Sequence, residues 1–150
     1  MKLPGILAAE TPNFMETMTA PIILIADRND DVLNYFRKET ASTDCALVHA
    51  KDGEEVLAIL GSQAPHIAAA VIELELPVVN GLDLIGRLTS LEPKPKKIIA
   101  TTFLEYEPLL ELAKYMGADE IVRKPVPEEK WVETVRQVLV EYSGNGHNGT

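Results

Sequence analysis

The chain has 150 residues, 46% of them apolar, which suits one folded domain with short terminal segments. Its formal net charge of -9 argues against non-specific binding to nucleic acid or to an anionic membrane surface, because both need clustered Lys and Arg. A single cysteine, Cys45, cannot form a disulfide within the chain, and no apolar run approaches the roughly 20 residues that span a bilayer. We therefore predict a cytoplasmic protein that binds neither nucleic acid nor membrane.

The two ends of the chain differ in composition from the middle. Residues 1–20 carry one basic residue, Lys2, and a short apolar piece, which make a poor secretory signal, so we predict a flexible N-terminal arm. Residues 143–150 are rich in Gly and Asn and have no large apolar side chain, which predicts a flexible C-terminal tail. The folded domain is expected to span residues 21–142.

Five short apolar runs alternate with amphipathic segments between these ends. The runs predict strands at residues 22–26, 45–50, 67–74, 97–102 and 120–123. Most are continuously apolar, which is typical of a parallel sheet covered by helices on both faces. The fold class is therefore predicted to be α/β, with a doubly wound five-stranded parallel sheet.

Polar residues indicate where the intervening helices begin and end. Asp52 with Glu55, and Asn80, are typical helix-opening residues, and Gly117 is typical of a helix end. Caps of the first helix are predicted at Asn29, Asp30 and Asp31. The stripe before Gly117, predicted to face the core, consists of Leu109, Leu112, Ala113 and Met116. Trp131 in the last helix is likewise interpreted as a core residue.

Charged and hydroxyl side chains follow the predicted strands where each of them ends. The carboxyl ends of parallel strands share one edge of the sheet, which is where such folds bind their ligands. The residues brought to this edge are Asp27, Arg28, Glu73, Thr101, Thr102 and Lys124. The three histidines, His49, His66 and His147, are not expected at this edge, and His49 and His66 are interpreted as ordinary surface residues.

Several motifs in order resemble the receiver domain of two-component response regulators over residues 22–139. They are the acid Asp27 after an apolar strand, Lys-Asp-Gly-Glu-Glu at 51–55, Leu-Pro-Val-Val-Asn-Gly-Leu-Asp at 76–83, Ile-Ile-Ala-Thr at 98–101, Gly-Ala-Asp at 117–119 and Arg-Lys-Pro at 123–125. The resemblance implies a CheY-like, flavodoxin-like three-layer sandwich with strand order 2-1-3-4-5 and a non-enzymatic role in phosphorelay signal transduction. It also implies a cis peptide bond before Pro125.

The resemblance assigns roles to the edge residues, and two of them depart from the family. Asp27, Thr101 and Lys124 match a metal-binding acid, the switch hydroxyl and the phosphate-contacting lysine. Arg28 replaces the second metal-binding acid, and Glu73 replaces the phosphoacceptor Asp. Two acids then face two bases, so the edge is neutral without metal. We expect Mg²⁺ to bind poorly and no cofactor to be required.

Two alternatives remain open for the side chains of this edge. We predict that Glu73 pairs with Arg28 or with Lys124; alternatively, Arg28 points to solvent and Glu73 pairs with Lys124 alone. Glu75 is either a substitute oxygen ligand or a solvated rim acid. The weak metal-ligand candidates are thus Asp27, Glu73 and Glu75.

The predicted output surface is the face formed by the fourth helix, fifth strand and fifth helix. Ile121 stands where the family often has an aromatic residue that couples pocket to surface, which favours a fixed state. The candidate contact residues are Phe103, Tyr106, Tyr115 and Trp131; the alternative is that these are partly buried packing residues. Trp131 is expected to lie away from the pocket.

These observations favour a pseudo-receiver that works independently of phosphorylation, by binding a protein partner or a second copy of itself. One alternative is a phosphorylatable single-domain regulator that receives phosphate from a histidine kinase. A second alternative is a small-molecule-binding module on a flavodoxin-like scaffold, because the fold alone does not determine function.

Overall fold

The computed structural model describes residues 20–41 and 43–148, with side chains through residue 139. The predicted N-terminal arm, residues 1–20, lies outside this part of the chain except for Ala20. The side chains of the predicted C-terminal tail, residues 143–150, also lie outside it.

Strands and helices alternate along the described chain. Their bounds are β1 (Ile22–Ala26), α1 (Asp31–Thr40), β2 (Ala46–Ala50), α2 (Gly53–Gln63), β3 (Ile67–Glu73), α3 (Gly81–Thr89), β4 (Lys97–Thr102), α4 (Glu107–Met116), β5 (Glu120–Arg123) and α5 (Glu128–Asn148). A short 3₁₀ turn, Ala64–His66, precedes β3. The predicted strands are confirmed, with β2 starting and β3 ending one residue inside the predicted limits. The backbone of α5 continues six residues past 142, since extending a helix adds a hydrogen bond per residue without a new nucleation cost.

The sheet has the order β2-β1-β3-β4-β5, and every neighbouring pair of strands is parallel. The predicted fold class and strand order are thereby confirmed. Because all strands run the same way, the segments after β1, β3, β4 and β5 meet at one edge.

Side chains alternate between the two faces of the sheet, and each face has its own core. Leu24 and Ala26 of β1 pack with the apolar faces of α2, α3 and α4. Ile23 and Ile25 of the same strand pack with α1 and α5, including the buried Trp131. The continuously apolar strands predicted helices on both faces, and the arrangement is the three-layer sandwich that the resemblance implied.

Two of the predicted helix caps are present, and a third is wrong. Asp52 and Asn80 accept backbone N–H groups of α2 and α3 through their side chains. Asp30 precedes α1 but makes no capping bond. Its exposed carboxylate instead lies 3.9 Å from both His49 Nδ1 and Lys51 Nζ.

The helix α4 differs in two residues from the predicted apolar stripe, because Leu110 is buried although it is not in the stripe and Leu112 is exposed although it is. Leu110 and Ala113 form its buried face, whereas Leu112 is 45% exposed, because the helix presents positions 110 and 113, three apart, to the sheet. Gly117 ends α4 at a φ of 127°, as predicted. None of the described helices is both long and apolar enough to span a membrane.

Candidate functional site

Asp27 and Lys124 form the inner pair of a charged cluster, which we define as Asp27, Arg28, Glu73 and Lys124. Asp27 follows β1 and is buried, and its Oδ1 accepts the Asn29 backbone N–H at 2.9 Å. Lys124 Nζ donates to Asp27 Oδ2 at 2.5 Å, and the Lys124 side chain is only 9% exposed. The Lys124–Pro125 bond is cis, as the resemblance implied.

Glu73 is the fully buried acid at the end of β3. Its Oε1 accepts Arg28 Nε at 2.7 Å, and its Oε2 accepts Lys124 Nζ at 3.2 Å. The predicted ion pair with Arg28 is confirmed, and Lys124 contacts the same carboxylate as well. Arg28 reaches inward with its Nε while its side chain remains 47% exposed, so the alternative in which it points only to solvent is wrong.

Burial and ion pairing act against each other on the two acids. Burial raises the pKa of Asp27 above its ordinary value, and it prevails over the hydrogen bonds from Lys124 and the Asn29 amide. Burial would also raise the pKa of Glu73. Hydrogen bonding with Asp27, the charge of Lys124 and the hydrogen bonds from Lys124 and Arg28 together hold the pKa of Glu73 below its ordinary value. Glu73 is therefore the more persistent anion as the pH falls.

The charged cluster does not fit the Mg²⁺ that the receiver resemblance implies. All four oxygens of Asp27 and Glu73 already accept a hydrogen bond. A guanidinium cannot serve as a ligand, and Arg28 would repel a cation placed beside it. Within the described part of the chain, no group of three or more His, Cys, Asp or Glu side chains is arranged to hold a metal ion.

The two threonines at the end of β4 have different surroundings. Thr101, beside Glu73 in the sheet, is fully buried, and its Oγ1 has no hydrogen-bond partner. Thr102 Oγ1 donates to Glu75 Oε2 at 2.6 Å, and Glu75 Oε1 accepts the Phe103 backbone N–H at 2.9 Å. Glu75 is therefore not the solvated rim acid of one sequence interpretation, because it links the segments after β3 and β4.

A groove beside the charged cluster contains aromatic side chains. Asp27 and Lys124 line it together with Tyr35, Phe103 and Trp131. The rings of Tyr35 and Trp131 stack with centroids 6.0 Å apart. The expectation that Trp131 lies away from the pocket is wrong, because α5 packs against α1 and so directs Trp131 to this edge. Trp131 is also 3% exposed, which makes it a packing residue.

His49 is buried at the end of β2, contrary to the sequence interpretation of a surface residue. It is 7% exposed, and its Nε2 lies 3.0 Å from the Asp27 carbonyl oxygen. His66, in contrast, lies partly exposed in the turn before β3. The side chain of His147 lies outside the described residues. Of the two histidines whose side chains the structure describes, His49 contacts the functional edge, through the backbone carbonyl of Asp27.

The segment after β3 is strained at Val78 and packs closely against the backbone of Glu73. Val78 has a φ of 74°, and the Val79 N–H donates to the Pro77 carbonyl at 2.9 Å, which closes a three-residue γ-turn. Close packing follows at Gly81, where a Cβ would lie 2.5 Å from the Glu73 carbonyl oxygen. The Pro and Gly of the 76–83 motif thus shape the turn next to the buried acid.

A 2-1-3-4-5 parallel sheet with an acid, a threonine and a lysine meeting at its carboxyl edge defines a signalling domain of the receiver class. The family model of the response regulator receiver domain matches residues 23–136, and the chain belongs to this family. It is therefore a receiver domain of the two-component type.

Curated relatives and solved structures agree with this family. The chain is 26% identical over 122 residues to the uncharacterized transcriptional regulatory protein YesN of Bacillus subtilis, covering 79% of this chain and 32% of that protein. It is 30% identical over 100 residues to a protein-glutamate methylesterase/protein-glutamine glutaminase of Halalkalibacterium halodurans, covering 66% of this chain and 28% of that protein. The chain thus spans about a third of the length of these relatives. A CheY-like receiver domain from Methanospirillum hungatei has the same fold, with a TM-score of 0.68, 22% identity and coverage of 84% of this chain and 98% of that one.

Proposed function

We propose that this receiver domain signals without phosphorylation and acts by binding a protein partner in the cytoplasm. The observation that carries the proposal is the buried Glu73 carboxylate, which accepts hydrogen bonds from both Arg28 and Lys124. These two cations neutralise the charged cluster without a metal ion. Glu73 thus partly takes the place of a phosphoryl group, and Arg28 that of the metal.

The same contacts oppose phosphoryl transfer to Glu73. Both of its oxygens are held by donors, so a nucleophilic attack would first have to break an ion pair in a buried site. Transfer also depends on precise positioning and on neutralisation of the developing charge, and the cluster does not fit the divalent ion that would assist it. The domain is accordingly proposed to have no enzymatic activity of its own.

The surface proposed for the partner is the face of α4, β5 and α5, which could also accommodate a second copy of the chain. Tyr106 and Tyr115 are 65% and 89% exposed there, whereas Trp131 is buried and is removed from the predicted contact set. Ile121 is half-buried and packs against the core below α4. Aromatic residues exposed on a surface are frequent anchors of protein interfaces.

A second candidate function is a phosphorylatable regulator that receives phosphate from a histidine kinase. It is favoured by the buried, unpartnered Oγ1 of Thr101 beside Glu73, together with Asp27 and Lys124. In this case a phosphoryl group would give the Thr101 hydroxyl its missing acceptor.

One experiment separates the two candidates. The protein is incubated with Mg²⁺ and acetyl phosphate, or with beryllofluoride, and followed by the amide NMR signals of Glu73, Thr101 and Lys124. Trp131 fluorescence gives a second readout, because Trp131 lines the same groove as Asp27 and Lys124. We expect neither signal to change, whereas saturable changes in both would refute phosphorylation independence. The Arg28→Asp/Glu73→Asp variant is the positive control.

A further inference from the structure

Glu75 holds the segment that follows β4, residues 103–106, by converging hydrogen bonds. Its two oxygens accept Thr102 Oγ1 at 2.6 Å and the Phe103 N–H at 2.9 Å. Thr102 Oγ1 in turn accepts the Leu104 N–H at 3.0 Å. Bonds to a carboxylate are stronger than those between neutral groups, so this acid fixes the start of the segment.

The fixed segment places the ring of Phe103 over Lys124. The Lys124 ammonium lies 5.2 Å from the ring centroid, within the range of a cation–π contact. An ammonium has three N–H donors, and two of them are used by Asp27 and Glu73. With the ring in place, Lys124 presents little free donor capacity to an incoming anion.

The position of this ring depends on the backbone more than on core packing. Phe103 is 50% exposed, so no buried layer of side chains surrounds it. The neighbouring Thr101 cannot hold the segment, because its Oγ1 makes no hydrogen bond. Glu75 is therefore the side chain that connects the placement of the ring to the rest of the site.

We propose that Glu75 is a latch that keeps Phe103 as a lid over Lys124, so that the charged cluster is closed by an autoinhibitory contact within the domain. This proposal rests on the proposed function. It adds a second reason why a phosphate donor does not bind Lys124. Opening the latch would expose the groove between Phe103 and Trp131 without changing the charged cluster itself.

The test compares Glu75→Ala with Glu111→Ala in the full chain. Glu111 is an exposed acid on α4 and serves as the control. Native-state hydrogen exchange should become about tenfold or more faster at the Phe103 and Leu104 amides in Glu75→Ala, the size expected for losing a bond to a charged acceptor. The Lys124 amide, which donates to the Thr102 carbonyl, serves as an internal reference. Glu111→Ala should leave all three amides unchanged.

The position of the Phe103 ring is measured by the chemical shift of the Lys124 ε-methylene protons, since the ammonium that this methylene carries lies 5.2 Å from the ring centroid. Phe103→Leu removes the ring and defines the shift of an open site. Glu75→Ala should move the Lys124 signal towards that reference, and Thr102→Val, which keeps the side-chain shape, should move it in the same direction by a smaller amount. Exchange within twofold of the parent at Phe103, or a Lys124 shift unchanged in both variants, would overturn the proposal.

No phosphate donor is present in these measurements, so their outcome is independent of the test of phosphorylation. A domain that accepts phosphate but keeps the latch would refute the proposed function alone. A domain that stays inert although its lid does not respond to Glu75 would refute the latch alone.

Discussion

Glu73, fully buried at the end of β3, accepts the Nε–H of Arg28 at 2.7 Å although the arginine is itself nearly half exposed. The arginine follows Asp27, whose carboxylate faces Lys124, so successive residues after β1 contribute opposite charges to one cluster. The cluster is held together by its own ion pairs. Removing one partner of such a buried set leaves an uncompensated charge, which is the more costly kind of loss.

Glu73→Gln should destabilise the domain at neutral pH. The amide keeps the shape but leaves Arg28 without its anion and leaves Lys124 with Asp27 alone, and breaking a buried pair in this way costs about 3 kcal/mol. Urea unfolding at pH 7 measures the difference in free energy of unfolding. Asp83→Asn is the control, because its ion pair with Arg87 is about half exposed and such pairs contribute about 0.5 kcal/mol. Equal effects of the two substitutions would contradict the importance of burial.

The difference between the parent and Glu73→Gln should also depend on pH. The pKa of Glu73 is lower in the folded than in the unfolded chain, so its stabilisation is fully present above the ordinary value of 4.5 and is lost as the pH falls through the folded pKa. We therefore expect the gap in unfolding free energy to shrink when urea titrations are repeated at progressively lower pH below 4.5. If the difference in unfolding free energy increased as the pH falls, the pKa of Glu73 would not be lowered in the folded chain.

Restoring the family acids should restore metal binding. In the Arg28→Asp/Glu73→Asp variant three carboxylates surround Lys124, and the surplus negative charge favours a divalent cation with oxygen ligands. Calorimetric titration with Mg²⁺ should give saturable binding for the double variant and none for the parent. Arg28→Ala serves as the intermediate case, since it removes the repulsion without supplying a ligand. If the double variant also fails to bind, the charge balance does not explain the poor fit of the metal.

The fold and the cluster were predictable because local sequence patterns determine them. Continuous apolar runs such as the one ending at Ala26 require helices on both sides, and parallel strands then bring Asp27, Glu73 and Lys124 to one edge. The ion pair of Glu73 with Arg28 followed from charge counting at that edge.

The contacts that sequence reasoning missed depend on side-chain direction and on packing between distant elements. The sequence leaves Glu75 open as an oxygen ligand or a rim acid, and nothing in its neighbourhood along the chain indicates that it accepts Thr102 Oγ1. The sequence predicts neither the burial of His49 against the Asp27 carbonyl nor the position of Trp131 beside Lys124, because both contacts come from distant elements, although Trp131 is a core residue as predicted. The alternation of side chains along a strand predicts which face of the sheet a residue lies on. It does not predict which residue of another element it contacts.

Replacing each of the two threonines of β4 by valine should have unequal effects on stability. Thr101 Oγ1 is buried without a partner, so Thr101→Val removes an unsatisfied hydroxyl and should be neutral or stabilise the fold by about 1 kcal/mol. Thr102→Val loses the bond to Glu75 and the bond from the Leu104 N–H, and should destabilise by about 1 to 2 kcal/mol. Urea unfolding of both variants gives the comparison. A large loss in Thr101→Val would indicate a hydrogen bond to this hydroxyl in solution.

Two glycine-to-alanine substitutions should shift stability in opposite directions. At Gly81 an added Cβ would lie 2.5 Å from the Glu73 carbonyl oxygen and 2.7 Å from Leu74 Cα, and both are backbone atoms that cannot rotate away. Gly81→Ala should therefore cost about 1 to 3 kcal/mol and displace the end of β3 that carries Glu73. At Gly61 in α2 an added Cβ meets nothing within 4 Å, so Gly61→Ala should stabilise the helix by up to about 1 kcal/mol. Thermal unfolding measures both, and the amide signal of Glu73 should shift only in Gly81→Ala. A stable Gly81→Ala variant with an unshifted Glu73 signal would mean that the close approach of α3 does not position the buried acid.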